Sequence, residues 1–172
     1  MTNIDLERYI RDVPDFPKPG ILFKDITPLL RAPDAFRHAL RLLVERAGAL
    51  RPDLVVGVES RGFLFGAPLA DRLGAGFVPA RKPGKLPYHS IREEYTLEYG
   101  TSVLEMHEES LDGQRVLIVD DLLATGGTAL CAARLCRRLG ATVVGFSFVV
   151  ELAALAGRAA LGEYPVSTLL TY

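Results

Sequence analysis

The chain has only two cysteines in 172 residues, too few for a disulfide framework. Cys131 and Cys136 lie five apart on a segment with helical periodicity, so their side chains point in different directions. The expectation is two buried thiols in a reducing cytosol, with no disulfide or metal between them. The three histidines are equally sparse: His38, His89 and His107 have no spacing that suits a metal or a catalytic triad. His38 falls in a helix and reads as structural, and His89 and His107 receive no role. Net charge is nearly absent, at −1, which argues against a general nucleic-acid binder or a membrane-surface protein. No apolar run reaches the roughly 18 residues needed to cross a bilayer. The opening stretch MTNIDLERYIRDV is amphipathic and charged, unlike a secretory leader. A Walker loop is missing, since its nearest match, GVESRGF from Gly57 to Phe63, lacks the lysine. No GxGxxG follows the first core strand, and no repeat or linker interrupts the chain.

What is present is apolar residue, 49% of the total. That is enough for a large core in one compact domain spanning 1–172. Asn3 to Val13 reads as a short helix, ended by the proline-rich loop Pro14–Gly20. Asp34 is placed as the N-cap of a helix from Ala35 to about Leu50. The remainder alternates. Strands are expected at Leu54–Val58, Phe77–Ala80, Val116–Val119, Thr142–Val149 and Val166–Leu170. Helices are expected at Gly62–Leu73, Gly127–Leu139 and Leu152–Leu161. Arg81 to Glu94, rich in Lys, Pro and Gly, reads as a loop, and Tyr95 to Glu105 as a weakly alternating β-excursion. Apolar strands alternating with helices imply an α/β fold, a mostly parallel twisted sheet flanked by helices. The segment 1–31 stands outside this alternation and reads as a small N-terminal hood.

In such sheets ligands bind beyond the carboxyl ends of the strands. The stretch VLIVDDLLATGGTAL, Val116 to Leu130, puts Asp120 and Asp121 there. The turn Ala124-Thr125-Gly126-Gly127-Thr128 then opens a helix. Backbone N–H groups of such a turn curl round an anion, and the helix start adds about half a positive charge. Paired aspartates can be a mere helix cap, and GG a mere turn. The assembled order of strand, acid pair, glycine turn and helix describes a phosphate cradle beside two acceptors for hydroxyls or a hydrated metal. A sugar phosphate carries its phosphate and vicinal hydroxyls at about this separation.

VLIVDDLLATGGT resembles the 5-phosphoribosyl-1-pyrophosphate (PRPP) motif of type I phosphoribosyltransferases. FPKPGILFKDITPLL (Phe16–Leu30), VGVESRGFLFG (Val56–Gly66), RKPGKLP (Arg81–Pro87) and LEYG (Leu97–Gly100) are similar, in order and spacing, to the adenine phosphoribosyltransferase family. The likeness covers nearly the whole chain. It implies transfer of phosphoribose from PRPP to N9 of adenine, giving AMP and pyrophosphate with Mg2+, in a cytoplasmic homodimer.

The resemblance implies roles residue by residue. Asp120 and Asp121 hold the ribose hydroxyls, directly or through magnesium, a metal contact that can be indirect, via PRPP and water. Ala124, Thr125, Gly126, Gly127 and Thr128 bind the 5-phosphate. Glu59, Ser60 and Arg61 meet the pyrophosphate. Arg81, Lys82 and Lys85 stabilise the negative charge on the leaving group, and Arg81 reaches the partner subunit's site. Arg81 to His107 is a flexible lid that excludes water from the sugar cation. Adenine is read at Leu22, Phe23 and Lys24: a rigid C=O and N–H accept and donate to its N6 and N1 edge, and Phe23 stacks. A 6-oxopurine reverses that pattern, and each buried mismatch costs about 1–3 kcal/mol. Lys24 stands where many relatives carry Arg, which leaves only the backbone contact secure.

Two competing readings are a phosphoribosyltransferase for hypoxanthine, guanine or xanthine, and a PRPP-sensing regulatory protein without turnover. The segment before the core lacks a basic recognition helix, which argues against the regulatory reading.

Within the lid, Glu98 is the candidate for taking the N9 proton, and Tyr99 for positioning the base. Replacing Glu98 by Ala or Leu is expected to lower kcat by roughly 10²–10⁴-fold while changing KM for PRPP little. Steady-state kinetics check this, and an unchanged kcat removes Glu98 from the mechanism.

Overall fold

The computed structural model describes residues 4–97 and 100–172. It forms two compact units, residues 1–42 and 43–172.

In the first unit, Leu6–Tyr9 makes one 3₁₀ turn, capped by the Asp5 carboxylate. Strand β1 (Arg11–Pro14) then pairs antiparallel with β2 (Leu22–Asp25), with Val13 opposite Phe23. The helix expected over Asn3–Val13 is therefore replaced by a turn and a strand; Asn3 itself lies outside the described residues. The reason is cross-strand pairing that helical periodicity does not register. Arg11 bonds Asp25 at 2.5 Å and Lys24 bonds Asp12 at 2.6 Å, each pair directly opposite in the ladder. Helices α1 (Thr27–Arg31) and α2 (Pro33–Ala47) follow. Asp34 sits inside the first turn of α2, bonded to Arg37, and does not cap it. Pro33 at the first helical position explains the earlier start, because its missing N–H is one the helix leaves unpaired anyway.

The second unit is built on a five-stranded parallel sheet in the order β4-β3-β7-β8-β9. Its strands are β3 (Leu54–Val58), β4 (Gly76–Ala80), β7 (Arg115–Leu123), β8 (Thr142–Glu151) and β9 (Val166–Thr171). Helices α3 (Gly62–Leu73) and α4 (Gly127–Arg138) connect them, with α5 (Gly157–Ala160) before β9. Val55, Val56, Leu117, Ile118, Phe146 and Phe148 are fully buried or nearly so, as expected of central parallel strands covered on both faces. Between β4 and β7 the chain leaves the sheet as a hairpin, β5 (Ser90–Leu97) and β6 (Gly100–His107). Part of the expected loop 81–94 is thus strand. Its alternation was masked by charge: Arg92, Glu93 and Glu94 lie in β5, where Arg92 pairs with Glu105 and Glu93 with Arg134 and Arg138.

Two further boundaries differ from expectation. The strand expected to stop at Val119 continues through both aspartates to Leu123. Its register with β3 ends at Gly57↔Val119, but its register with β8 runs on to Leu123↔Glu151. The helix expected over Leu152–Leu161 is broken into a 3₁₀ turn, Ala153–Leu155, and the short α5, with Ala156 between them at φ 53°. The break sets Gly157 against the turn after β7: a Cβ on Gly157 would lie 2.1 Å from the Ala124 carbonyl oxygen. Arg158 next to it is anchored to Glu151 by bonds of 3.0 and 2.6 Å. Those bonds, with one from Thr168, outweigh burial and hold the Glu151 carboxyl below its usual range.

Gly157→Ala is expected to destabilise the protein by about 1–3 kcal/mol through overpacking. Gly48→Ala, where a Cβ meets nothing within 4 Å, should be near neutral. Chemical denaturation of both variants checks the contrast.

Candidate functional site

The order of the sheet creates the site. From β3 the chain moves outward to β4, then returns to the other side of β3 as β7. Such a reversal leaves a crevice at the carboxyl ends of the two diverging strands. One lip is the turn Glu59-Ser60-Arg61 after β3, which leads into α3 and contains a cis Glu59–Ser60 peptide. The other lip is β7 beyond Val119, where the strand has lost its β3 partner and carries Asp120 and the buried Asp121 along an unpaired edge.

Two adjoining cavities lie here. The smaller, about 100 Å³, is enclosed by Ala124 to Thr128, with Asp120 and Phe148 on its walls. Gly126 has φ 84°, a conformation glycine adopts freely, and it ends the turn so that α4 begins at Gly127. The unpaired N–H groups of a 12-residue helix therefore open at this cavity. The larger, a cleft of about 400 Å³, is lined by Glu59, Ser60 and Arg61 on one side and Asp120 and Asp121 on the other. Asp120 and Thr128 border both cavities. Lys82, and Tyr95 and Ser102 of the hairpin, complete the cleft.

Burial sets the charge state. Desolvation pushes the Asp120 carboxyl well above the usual range, and the neighbouring Asp121 charge adds to it. Asp121 is also raised by burial, against the opposing pull of Arg61, whose Nε lies 2.8 Å from Asp121 Oδ2. The Asp121 amide donates to Asp120 Oδ1 at 2.9 Å, so the pair is fixed by its own backbone. Glu59 behaves differently. Burial pushes it up, but the Lys82 amide at 2.8 Å and Arg81 Nε at 3.2 Å outweigh burial and hold it below its usual range.

The structure brings together Glu59, Ser60, Arg61, Lys82, Asp120, Asp121 and Ala124–Thr128. Arg81 and Lys85 are not among the residues lining the cleft; the Arg81 guanidinium bonds Glu59 and the Lys85 carbonyl. Leu22, Phe23 and Lys24 fall on β2 of the first unit, where Phe23 meets Phe16 edge-on at 5.1 Å and the Lys24 ammonium is held by Asp12. Glu98 and Tyr99 lie outside the described residues. Tyr95 and Ser102 escaped the sequence reading. They are directly opposite in the hairpin register, and that register becomes visible only once the two strands are paired. Among the described residues no group of three or more His, Cys, Asp or Glu could hold a metal ion. The Asp120–Asp121 pair is nevertheless a hard oxygen donor set of the kind magnesium takes when phosphates supply the remaining ligands.

Residues 25–168 match the phosphoribosyl transferase domain model. An adenine phosphoribosyltransferase from Gloeobacter violaceus is 59% identical over 168 residues, covering 97% of this chain and 98% of that protein. The solved adenine phosphoribosyltransferase of Thermoanaerobacter pseudethanolicus superposes with a TM-score of 0.94 at 51% identity, over 97% of this chain and 98% of that one. The Saccharomyces cerevisiae enzyme, solved with an imino-altritol bisphosphate and adenine, superposes with a TM-score of 0.87 at 44% identity, over 95% and 96% of the two chains.

Because folding raises the Asp120 pKa, the carboxylate opposes folding once ionised: what the group contributes is present below about 3.8 and lost as pH rises through its higher folded value. Asp120→Asn, which can still accept the Asp121 amide, should therefore melt higher than the parent at pH 7. The gain should shrink as pH falls toward 3.8, and thermal melts across pH check the sign.

Proposed function

The chain belongs to the adenine phosphoribosyltransferase family, and on that premise we propose how its residues divide the work of making AMP and pyrophosphate from adenine and PRPP. The observation that carries the reading is the pair of adjoining cavities sharing Asp120 and Thr128, one suited to a phosphate ester and the other to hydroxyls and a diphosphate.

The 5-phosphate is assigned to the turn Ala124–Thr128, where helix N–H groups and two threonine hydroxyls meet an anion without a competing positive side chain. The ribose hydroxyls are assigned to Asp120 and Asp121. Their shared burial makes a second full negative charge unfavourable, and this favours an arriving hydroxyl donor or cation. The pyrophosphate is assigned to the Glu59–Arg61 turn with Lys82. Arg61 is held in line by Asp121, and the Lys82 backbone by Glu59. Magnesium, when bound with the diphosphate, neutralises charge on the leaving group; Asp120 and Asp121 would hold it, directly or through water.

As the bond from the anomeric carbon to the pyrophosphate oxygen breaks, the sugar carbon gains cationic character. Its electron pair leaves with the diphosphate, where Arg61 and Lys82 stabilise it. N9 of adenine then bonds that carbon, and its proton passes to Glu98 in this proposal. Excluding water in the meantime is assigned to the segment 81–107, the proposed lid. Adenine recognition is assigned to Leu22, Phe23 and Lys24, with the ring on Phe23 and the backbone of Leu22 and Lys24 reading the purine edge. The Lys24 side chain is already paired with Asp12, which supports a backbone role.

A homodimer and a cytoplasmic setting belong to the same proposal, with Arg81 as the residue extending toward the partner's site. No described helix is long and apolar enough to cross a membrane. Cys131 and Cys136 are buried free thiols whose pKa burial pushes up to about 11 and about 12, which supports inert thiols in a reducing compartment.

The test is a base panel with PRPP and magnesium. Adenine should give AMP, with kcat/KM at least about 10²-fold above hypoxanthine, guanine or xanthine. Preference for a 6-oxopurine would overturn the purine assignment, and PRPP binding without turnover of any base would leave a sensor.

A further inference from the structure

Glu105 lies outside both cavities, yet it is the most thoroughly buried acid among the described residues, with its residue 1% exposed. It sits on β6, directly opposite Arg92 of β5. A carboxylate so far from water needs partners for both oxygens. Oε2 accepts the Gly84 amide at 3.0 Å, whereas Oε1 makes no hydrogen bond among the described residues and is met only by the charge of Arg92, whose Nε lies 2.6 Å away. The Glu105 backbone is tied as well: its N–H donates to the Arg81 carbonyl at 2.7 Å, and its carbonyl accepts the Arg81 N–H at 2.9 Å. One residue thus joins both strands of the hairpin to both ends of the Arg81–Gly84 stretch.

That stretch needs fixing. It carries Pro83 and Gly84, makes no ladder of its own beyond the single bridge to Glu105, and supplies Lys82 to the cleft. Its other face is held by Glu59 through the Lys82 amide and Arg81 Nε. The basic stretch is therefore gripped between two carboxylates, one from the cleft wall and one from the base of the hairpin. We infer that Glu105 is a positioning residue: it sets where Lys82 stands in the cleft and transmits the position of the hairpin to the diphosphate end of the sugar donor. The inference rests on the reading of the cleft as the diphosphate site. It adds that the acid acting there never touches substrate.

A buried ion pair that only supported the core would behave differently. Its loss would lower stability and disturb both substrates alike. The inference instead predicts a selective effect that passes through Lys82. In the full-length protein, Glu105→Gln keeps the shape but replaces the charged acceptor of the Gly84 amide by a neutral, weaker one and loses the charge facing Arg92, so it loosens both ends of the link. KM and the calorimetric Kd for PRPP with magnesium should rise about tenfold, with kcat and KM for adenine within about twofold of the parent. Arg92→Gln, changed at a side chain 69% exposed, should shift the same two constants by about threefold. In a double-mutant cycle, Lys82→Gln with Glu105→Gln should weaken PRPP binding hardly more than Lys82→Gln alone.

Unchanged PRPP constants in Glu105→Gln, equal rises for both substrates, or full additivity in the cycle would each overturn the inference. Should Glu105→Gln fail to fold, Arg92→Gln decides alone, and unchanged PRPP binding there overturns it. Parent-enzyme turnover of adenine is measured alongside. If the parent binds PRPP without turnover, the reaction assigned above fails, while the Kd comparison still tests Glu105.

Discussion

The site depends on where one ladder of hydrogen bonds stops. Strand β7 runs between β3 and β8, but it keeps only β8 beyond Val119. A strand paired on both sides has no room beside it for a ligand. A strand paired on one side presents an edge while its backbone remains rigid. Asp120 and Asp121 stand on that edge, which is why two acids can be held in the interior of a sheet protein and still face a cavity. The neighbouring turn after β3 diverges because the chain has gone outward to β4, so the opening follows from strand order rather than from any one side chain.

Charge is arranged around that opening with a consistent logic. The arginines near the cleft are aimed by acids, Arg61 by Asp121 and Arg81 by Glu59, while the backbone of Lys82 is held by Glu59 and that of Gly84 by Glu105. Arginine side chains are long and lose much rotamer freedom when ordered. Fixing them before substrate arrives shifts that loss from binding to folding, which is the general basis of preorganisation. The same arrangement explains why desolvated aspartates are kept although they weaken the fold at neutral pH. A site tuned for an incoming donor is strained while it is empty.

Much of this could be read from the residues alone, for physical reasons. Central strands are continuous apolar runs, so Leu54–Val58 and the body of β7 are plain from sequence, and the helical periodicity over Gly62–Leu73 coincides with α3. The glycine turn before α4 was legible because its chemistry is local. What failed was non-local. Arg11–Pro14 reads as helix until its partner Leu22–Asp25 is known, since its ion pairs cross a ladder. The extension of β7 through its acids depends on β8, and the break at Ala156 on a carbonyl more than thirty residues earlier. Tyr95 and Ser102 face the cleft through a hairpin register that periodicity does not fix.

The contact between Gly157 and the Ala124 carbonyl bears on how the protein matures during synthesis. The glycine turn and α4 end at Arg138, but the surface the turn rests on begins only at Gly157, anchored by Arg158 to the end of β8 and to β9. A nascent chain halted before that point holds every residue of the motif without the buttress that gives it shape. The phosphate-binding turn therefore takes its final shape only when α5 packs against it, so a motif that is local in sequence is not local in the contacts that shape it.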